Sequence, residues 1–366
     1  MLSRYAQNLY IPDMPSAQEI LPWLQQIDEN RWYTNFGKLN HEFETGLSQQ
    51  LGKDVCVVTI ANATLGLELA LMALNLPKNA YVLIPSFTFA ATATAVIRAG
   101  LCPLLADIDK NTWSLTPQLA YEAIQNHNIA TVLPVSAFGY PQPVDQWDRF
   151  TQETNIPVLI DAAGAYGNQA IGHSASVVFS LHATKVLGIG EGGLFVTRQA
   201  EIAQQIRQMT NFGLNNCQVE MVGTNAKLSE YHATVGLAAL KQWQQTSQHR
   251  KRLIQTYTHY LNQLSLPIIY QTPDIEKFIW SAFVLRFPLI QDVADVSKHL
   301  EQHGIETRRW YYPPLYQHAA FKHLAHSDDL PNVRTLSPQL LGLPFHHFLT
   351  EQDIVYICNS LKAYFQ

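Results

Sequence analysis

Lys185 sits in a polar, glycine-rich segment, Ser180-Leu-His182-Ala-Thr184-Lys185-Val-Leu-Gly188-Ile-Gly190-Glu191-Gly-Gly193. The apolar runs Val177-Val178-Phe179 and Leu194-Phe195-Val196 flank it and read as strands. A lysine held between buried strands is poorly hydrated, and desolvation favours its neutral amine. A neutral amine attacks aldehydes to form a Schiff base. Taken alone, a lysine beside a turn is ordinary surface. Its neighbours Ser180, His182, Thr184 and the glycines instead make a backbone suited to ligand contact.

Pyridoxal phosphate is the aldehyde cofactor such a lysine would take, and it needs further partners. A carboxylate must keep the pyridine nitrogen protonated so that the ring can act as an electron sink. Asp161 comes directly after the apolar run Ile156–Ile160, at the carboxyl end of an expected strand, where open α/β sheets bind ligands. An aspartate there could equally cap a helix. Asp107 occupies a similar place but leads into the turn-like Ile108-Asp109-Lys110-Asn111, so it ranks second. For the phosphate, Ala61-Asn62-Ala63-Thr64-Leu65-Gly66 ends one strand and opens a helix whose free N–H groups and dipole attract anions. The Thr64 and Ser180 hydroxyls could add hydrogen bonds. Phe87 or Phe89, in Pro85-Ser-Phe87-Thr-Phe89, could stack on the ring, although an aromatic after a strand is more often core. Gly188-Ile-Gly190-Glu191-Gly-Gly193 also matches the G-x-G-x-x-G dinucleotide pattern. A strand-like run rather than a helix comes next, so the pattern reads as a turn between strands.

The elements that would position these residues alternate regularly. Helices are expected at 16–30, 39–51, 64–76, 90–99 and 117–127, and strands at 55–60, 81–84, 103–107, 131–135 and 157–160. Short runs apolar on both faces, alternating with helices, define an α/β architecture with a mostly parallel central sheet covered by helices. Beyond about residue 200 the texture becomes α+β. A long helix is expected from Lys227 to Leu261 with a break near Ser247, then a strand at 278–287 and helices at 293–303 and 355–364. The chain of 366 residues is long for one domain, which divides it into a large domain, 1–240, and a smaller C-terminal one, 241–366.

Composition narrows the function class. Net charge is −5, charged residues make up 14%, and no basic cluster stands out, which argues against nucleic acid and anionic membranes as partners. Cys56, Cys102, Cys217 and Cys358 are scattered, without a Cys-x-x-Cys pair, and three of them lie in apolar surroundings. They read as buried free thiols of a reducing compartment, and no metal is expected. His346-His347 reads as a loop pair, not a metal site. Met1–Gln7 lacks an apolar leader, and no run reaches membrane-spanning length, so a cytoplasmic protein is expected.

With those residues in hand, the chain resembles the DegT/DnrJ/EryC1/StrS family of pyridoxal-phosphate-dependent sugar aminotransferases, of fold type I. Ser180-Leu-His-Ala-Thr-Lys185 with Gly190-Glu-Gly-Gly193 is similar to the family's lysine motif, its most specific match. Ala63-Thr64 with Leu65–Leu71 resembles its phosphate helix. Pro85-Ser-Phe-Thr-Phe89 resembles its ring-stacking segment and selects Phe89. Asp161-Ala-Ala matches its pyridine-nitrogen motif. Asn225, in Gly223-Thr-Asn225-Ala226-Lys227-Leu-Ser-Glu230, resembles the asparagine lent to the neighbouring subunit's phosphate. Gly304–Arg308 through Pro313-Pro-Leu315 is similar to the segment facing the sugar nucleotide, and makes Arg308, Arg309, Tyr311 and Tyr316 substrate candidates. The resemblance implies a homodimer with shared active sites, glutamate as amino donor and a nucleotide-linked 3- or 4-keto sugar as acceptor. It also implies a place in surface-polysaccharide or natural-product synthesis. Gly164 stands where the family usually carries glutamine or histidine, Ser136 where histidine is common, and Ala226-Lys227 where tyrosine-arginine is common. A binding or regulatory protein that keeps the fold and cofactor without turnover is the rival reading.

Overall fold

The structure is a computed structural model that describes residues 5–366; residues 1–4, the start of the N-terminal run expected to lack a leader, lie outside the described residues. Two helices, α1 (Ala17–Asn30) and α2 (Lys38–Leu51), precede the sheet. A capping box between Ser16 and Glu19 opens α1. Next in the chain are β1 (Cys56–Ile60), α3 (Ala63–Ala73), β2 (Tyr81–Pro85), α4 (Ala90–Arg98), β3 (Cys102–Ala106), α5 (Pro117–Ile124) and β4 (Ile129–Val132). Then come α6 (Val144–Thr154), β5 (Leu159–Asp161), β6 (Ser176–Ser180) and β7 (Gly193–Thr197).

These strands form two ladders, β1-β7-β6-β5 and β4-β2-β3, joined by parallel bridges between Val132 and Val158 and between Val135 and Asp161. Only β7 runs antiparallel to its neighbours in this sheet. The sheet's apolar runs are buried on both faces: Val177, Val178 and Phe179 are fully enclosed. Each such side chain contributes roughly 1.5–3 kcal/mol.

Beyond the sheet lie α7 (Ala200–Thr210), a hairpin of β8 (Leu214–Asn215) and β9 (Gln218–Val219), and α8 (Glu230–Gln263). The break expected near Ser247 is absent. The Ser247 Oγ donates to the Gln244 carbonyl at 2.9 Å, so its hydroxyl is satisfied within the helix. The remaining elements are β10 (Phe283–Arg286), α9 (Ala294–Gln302), β11 (Ala325–His326), α10 (Pro331–Leu336), β12 (Leu340–Leu343) and α11 (Glu351–Tyr364). The strand expected over 278–287 shortens to β10, which pairs antiparallel with β12. The expected boundary at residue 240 falls inside α8. That helix places Ala233 and Ala239 in the core under the main sheet, and Leu253, Ile254, Tyr257 and Leu261 in the C-terminal core. Past it, β11 returns to pair with β3 at the edge of the main sheet.

The cysteines are all unpaired, but only Cys358 is buried; Cys56 and Cys102 are half-buried and Cys217 is exposed on the hairpin. Asp107 accepts the Asn332 and Val333 amides at 2.9 and 2.8 Å, which caps α10.

Candidate active site

The segment between β6 and β7 closes on itself. Leu181 N–H donates to the Gly192 carbonyl, Ala183 N–H to Gly190, Ile189 N–H to Leu181 and Lys185 N–H to His182, at 2.8–2.9 Å. Gly190 takes φ +98°, in the left-handed region open to glycine. The glycine pattern is therefore a strand-to-strand turn, leading into β7 rather than a helix. The turn presents Lys185 to a cavity of about 380 Å³ at the C-terminal ends of β1, β2, β5 and β6, within the usual size of a ligand site.

Asp161, 4% exposed, faces the same cavity from the end of β5. Burial raises its carboxyl above the ordinary range. Hydrogen bonds from Thr92 Oγ1 (2.8 Å to Oδ2) and Ala163 N–H (3.1 Å to Oδ1), and the Lys185 charge, pull the other way. Burial lowers the Lys185 ammonium, and Asp161 opposes that shift. Burial thus shifts the amine toward its nucleophilic form, beside a carboxyl group that gains from a cationic neighbour. Thr92 Oγ1 also lies 2.8 Å from Thr88 Oγ1. This threonine pair, Thr88 in the bend before α4 and Thr92 within it, was not among the sequence candidates.

The start of α3 forms the far wall. Asn62 Oδ1 accepts the Leu65 amide at 2.9 Å, so that N–H is already used. The Ala63 and Thr64 amides have no acceptor among the described residues, and both residues line the cavity with Ser180. Gly193 lets β7 pass close by: a Cβ there would stand 2.6 Å from the Ala63 nitrogen. The aromatic wall is built from distant segments. Phe89 is 55% exposed on the cavity, whereas Phe87 is buried against Phe138 and Tyr311. Phe138 stacks on Tyr311 at 5.3 Å, and Arg308 lies over Trp310 at 4.3 Å. Tyr10, Ser281 and Trp310 also line the cavity; Trp310 lies within the segment similar to the one facing the sugar nucleotide, whereas nothing in the local sequence marked Tyr10 or Ser281.

Other candidates lie elsewhere in this chain. Arg309 is held by Asp292 at 2.7 Å and lies over Tyr312. Tyr316 packs under Arg334. Leu65 does not reach the cavity lining. Asn225 is exposed and accepts from Lys227 Nζ at 2.7 Å. Ser136 and Gly164 both line the cavity, and the Ser136 hydroxyl donates to Gln169 Oε1 at 2.8 Å.

These residues fit pyridoxal 5′-phosphate by their own chemistry. Two unused amides and a hydroxyl could hold its phosphate, Asp161 its ring nitrogen, Phe89 its face and Lys185 its aldehyde carbon. The fold and site thus define an amino-transfer enzyme of the pyridoxal-phosphate class. Comparison with known proteins gives the family. Residues 16–362 match the DegT/DnrJ/EryC1/StrS aminotransferase family. The chain is 30% identical to Protein Rv3402c of Mycobacterium tuberculosis, over 96% of this chain and 88% of that protein. It is 28% identical to the dTDP-4-amino-4,6-dideoxy-D-glucose transaminase of Shigella dysenteriae, over 96% and 97% of the two chains. The crystal structure of a Bacillus cereus chain assigned as a PLP-dependent aminotransferase matches with a TM-score of 0.90 at 29% identity, over 96% and 98% of the two. The chain belongs to the DegT/DnrJ/EryC1/StrS aminotransferase family, an enzyme family that uses pyridoxal 5′-phosphate.

Proposed function

We propose that this enzyme moves an amino group from glutamate to a nucleotide-linked 3- or 4-keto sugar, in the cytoplasm, for a surface polysaccharide or natural product. The observation that carries the reading is Lys185 and Asp161 facing one cavity, each shifted toward its neutral form by burial and coupled by their mutual attraction. The Shigella transaminase, named for a dTDP-linked amino sugar, supports the acceptor class. No helix among the described residues is long and apolar enough to cross a membrane.

The cofactor supplies an aldehyde carbon that takes the amino group and a ring that accepts the electron pair left on the donor's α-carbon. Lys185 Nζ would hold the cofactor at that aldehyde carbon and, once free, would serve as the general base and acid that carries the proton at the reacting carbon. Asp161 keeps a proton on the ring nitrogen. The Ala63 and Thr64 amides, with Ser180, hold the phosphate at the positive end of α3, and Phe89 covers one ring face. Arg308 and Tyr311 take the charged and planar parts of the sugar nucleotide. Asn225 reaches the phosphate of a second subunit in a homodimer. Trp32, Phe212, Val222 and the stacked pair Tyr33 and Tyr231 are exposed apolar side chains that such a partner would cover. Residues 1–240 and 241–366 act as large and small domains joined through α8. A regulatory reading is not favoured, because the family is one of aminotransferases and the relatives include proteins named as a transaminase and a perosamine synthase.

The test is purified protein, pyridoxal phosphate and glutamate against a panel of 3- and 4-keto nucleotide sugars. Formation of 2-oxoglutarate with one of them is the expected result. A bound cofactor whose absorbance ignores glutamate, with no product from any sugar, overturns the reading.

A further inference from the structure

Gly164 leaves a gap in the cavity wall, and Ser281 fills it. A Cβ at position 164 would stand 2.6 Å from the Ser281 Oγ and 3.5 Å from its Cβ. Ser281 comes from the segment just before β10, more than a hundred residues along the chain, yet it is held firmly. Its N–H donates to the Phe138 carbonyl at 2.9 Å, and its carbonyl accepts the Tyr10 hydroxyl at 3.3 Å. Asn168 clamps the same segment: Nδ2 donates to the Gly139 and Ile279 carbonyls at 2.7 and 2.8 Å, and Oδ1 accepts the Ile279 amide at 3.0 Å. A Cβ at Gly139, where φ is +112°, would meet the Ile279 carbonyl at 2.9 Å, so this close approach needs glycine.

Ser281 is only 7% exposed and lines the cavity, and its Oγ makes no hydrogen bond among the described residues. The hydroxyl opens on the cavity with its donor unused, so it is available to a group bound there. The neighbouring Ser136 hydroxyl is already given to Gln169, and position 164 has no side chain to offer.

The sheet order says which part of the cofactor comes here. In pyridoxal phosphate the carbon bearing the aldehyde lies opposite the ring nitrogen, and its two flanking ring positions carry the phosphate arm and the phenolic oxygen. With the nitrogen at Asp161 and the aldehyde at Lys185, a phosphate at α3 lies on the β1–β7 side. The phenolic oxygen then faces the β4 side, where Ser136, Gly164 and Ser281 line the wall. We propose that the Ser281 Oγ donates a hydrogen bond to that oxygen, and that Gly164 exists to admit it. The proposal rests on pyridoxal phosphate being the group this cavity holds. A donor there stabilises the phenolate and lowers the pH at which the Lys185-linked nitrogen loses its proton.

The experiment is a pH titration of the bound cofactor's visible absorbance, with cofactor Kd from equilibrium dialysis, for the wild type, Ser281→Ala, Gly164→Gln and the double variant. Ser281→Ala should raise the absorbance midpoint and weaken cofactor binding about tenfold, with an unchanged apo-protein melting temperature. Gly164→Gln alone should bind poorly, because its side chain collides with Ser281. Gly164→Gln with Ser281→Ala should recover both midpoint and Kd, since an amide N–H then enters the space the serine vacated. Midpoint and Kd unchanged in Ser281→Ala, or a double variant no better than Gly164→Gln, overturn the inference. A wild type that develops no visible band with pyridoxal phosphate overturns the cofactor reading itself.

Discussion

At the scale of single residues, Lys185 and Asp161 oppose each other's burial. Removing the amine removes both the anchor and the proton carrier. Lys185→Ala should lower turnover by at least about 10²–10⁴-fold, and borohydride should leave no cofactor label on the variant, as peptide mass mapping would show. Asp161 makes a separate prediction for the cofactor-free protein. Its pKa is raised above 3.8 in the fold, so between those values the native state holds more protons than the unfolded chain. Stability therefore falls as pH rises through that window, and the cost persists above it. Cofactor-free Asp161→Asn should melt higher than wild type at neutral pH, with the gap closing below about pH 3.8. Equal melting curves at all pH values would contradict the burial argument. Lys185 has the opposite sign. Its pKa is lowered below 10.5, so stability rises with pH between the lowered value and 10.5, and Lys185→Met should flatten that rise.

At the scale of elements, the phosphate end of the site depends on how closely β7 passes α3. Gly193 pairs with both Ile60 and Ser180 and allows that approach. Gly193→Ala would drive a methyl group against the Ala63 backbone, which should destabilise the protein by about 1–3 kcal/mol and weaken cofactor binding more than it alters far-ultraviolet circular dichroism. The parts of this arrangement that come from short, uniformly apolar segments were legible in advance: β1, β2, β6 and β7 lie within a residue or so of where the pattern puts them. Three helices were not expected, one of them the six-residue α10. In α6 only Trp147 and Phe150 are buried, among polar neighbours, so its helical period is faint. In α7 the buried positions Ala203, Ile206 and Met209 do keep a helical spacing, and that signal was available. Lys185, Asp161 and Phe89 could be read because each comes shortly after a strand. Tyr10 and Ser281 could not, since long-range packing alone carries them to the cavity.

At the scale of the whole molecule, the exposed aromatic pair Tyr33 and Tyr231, which stack at 6.2 Å, the hairpin residue Val219 and Val222 just beyond it are where a second copy should dock. Val219→Asp with Val222→Asp should move the protein from dimer to monomer in light-scattering chromatography and reduce cofactor affinity through loss of the partner's Asn225. A monomeric wild type would count against shared sites. The longest helix carries a different consequence. One uninterrupted rod, α8, roughly 50 Å long, buries side chains in two separate hydrophobic interiors. Neither interior can come apart without stripping cover from the other. Scanning calorimetry should therefore record one heat-absorption peak instead of two, and a gene cut between the codons for Lys241 and Ser247 should yield two insoluble halves.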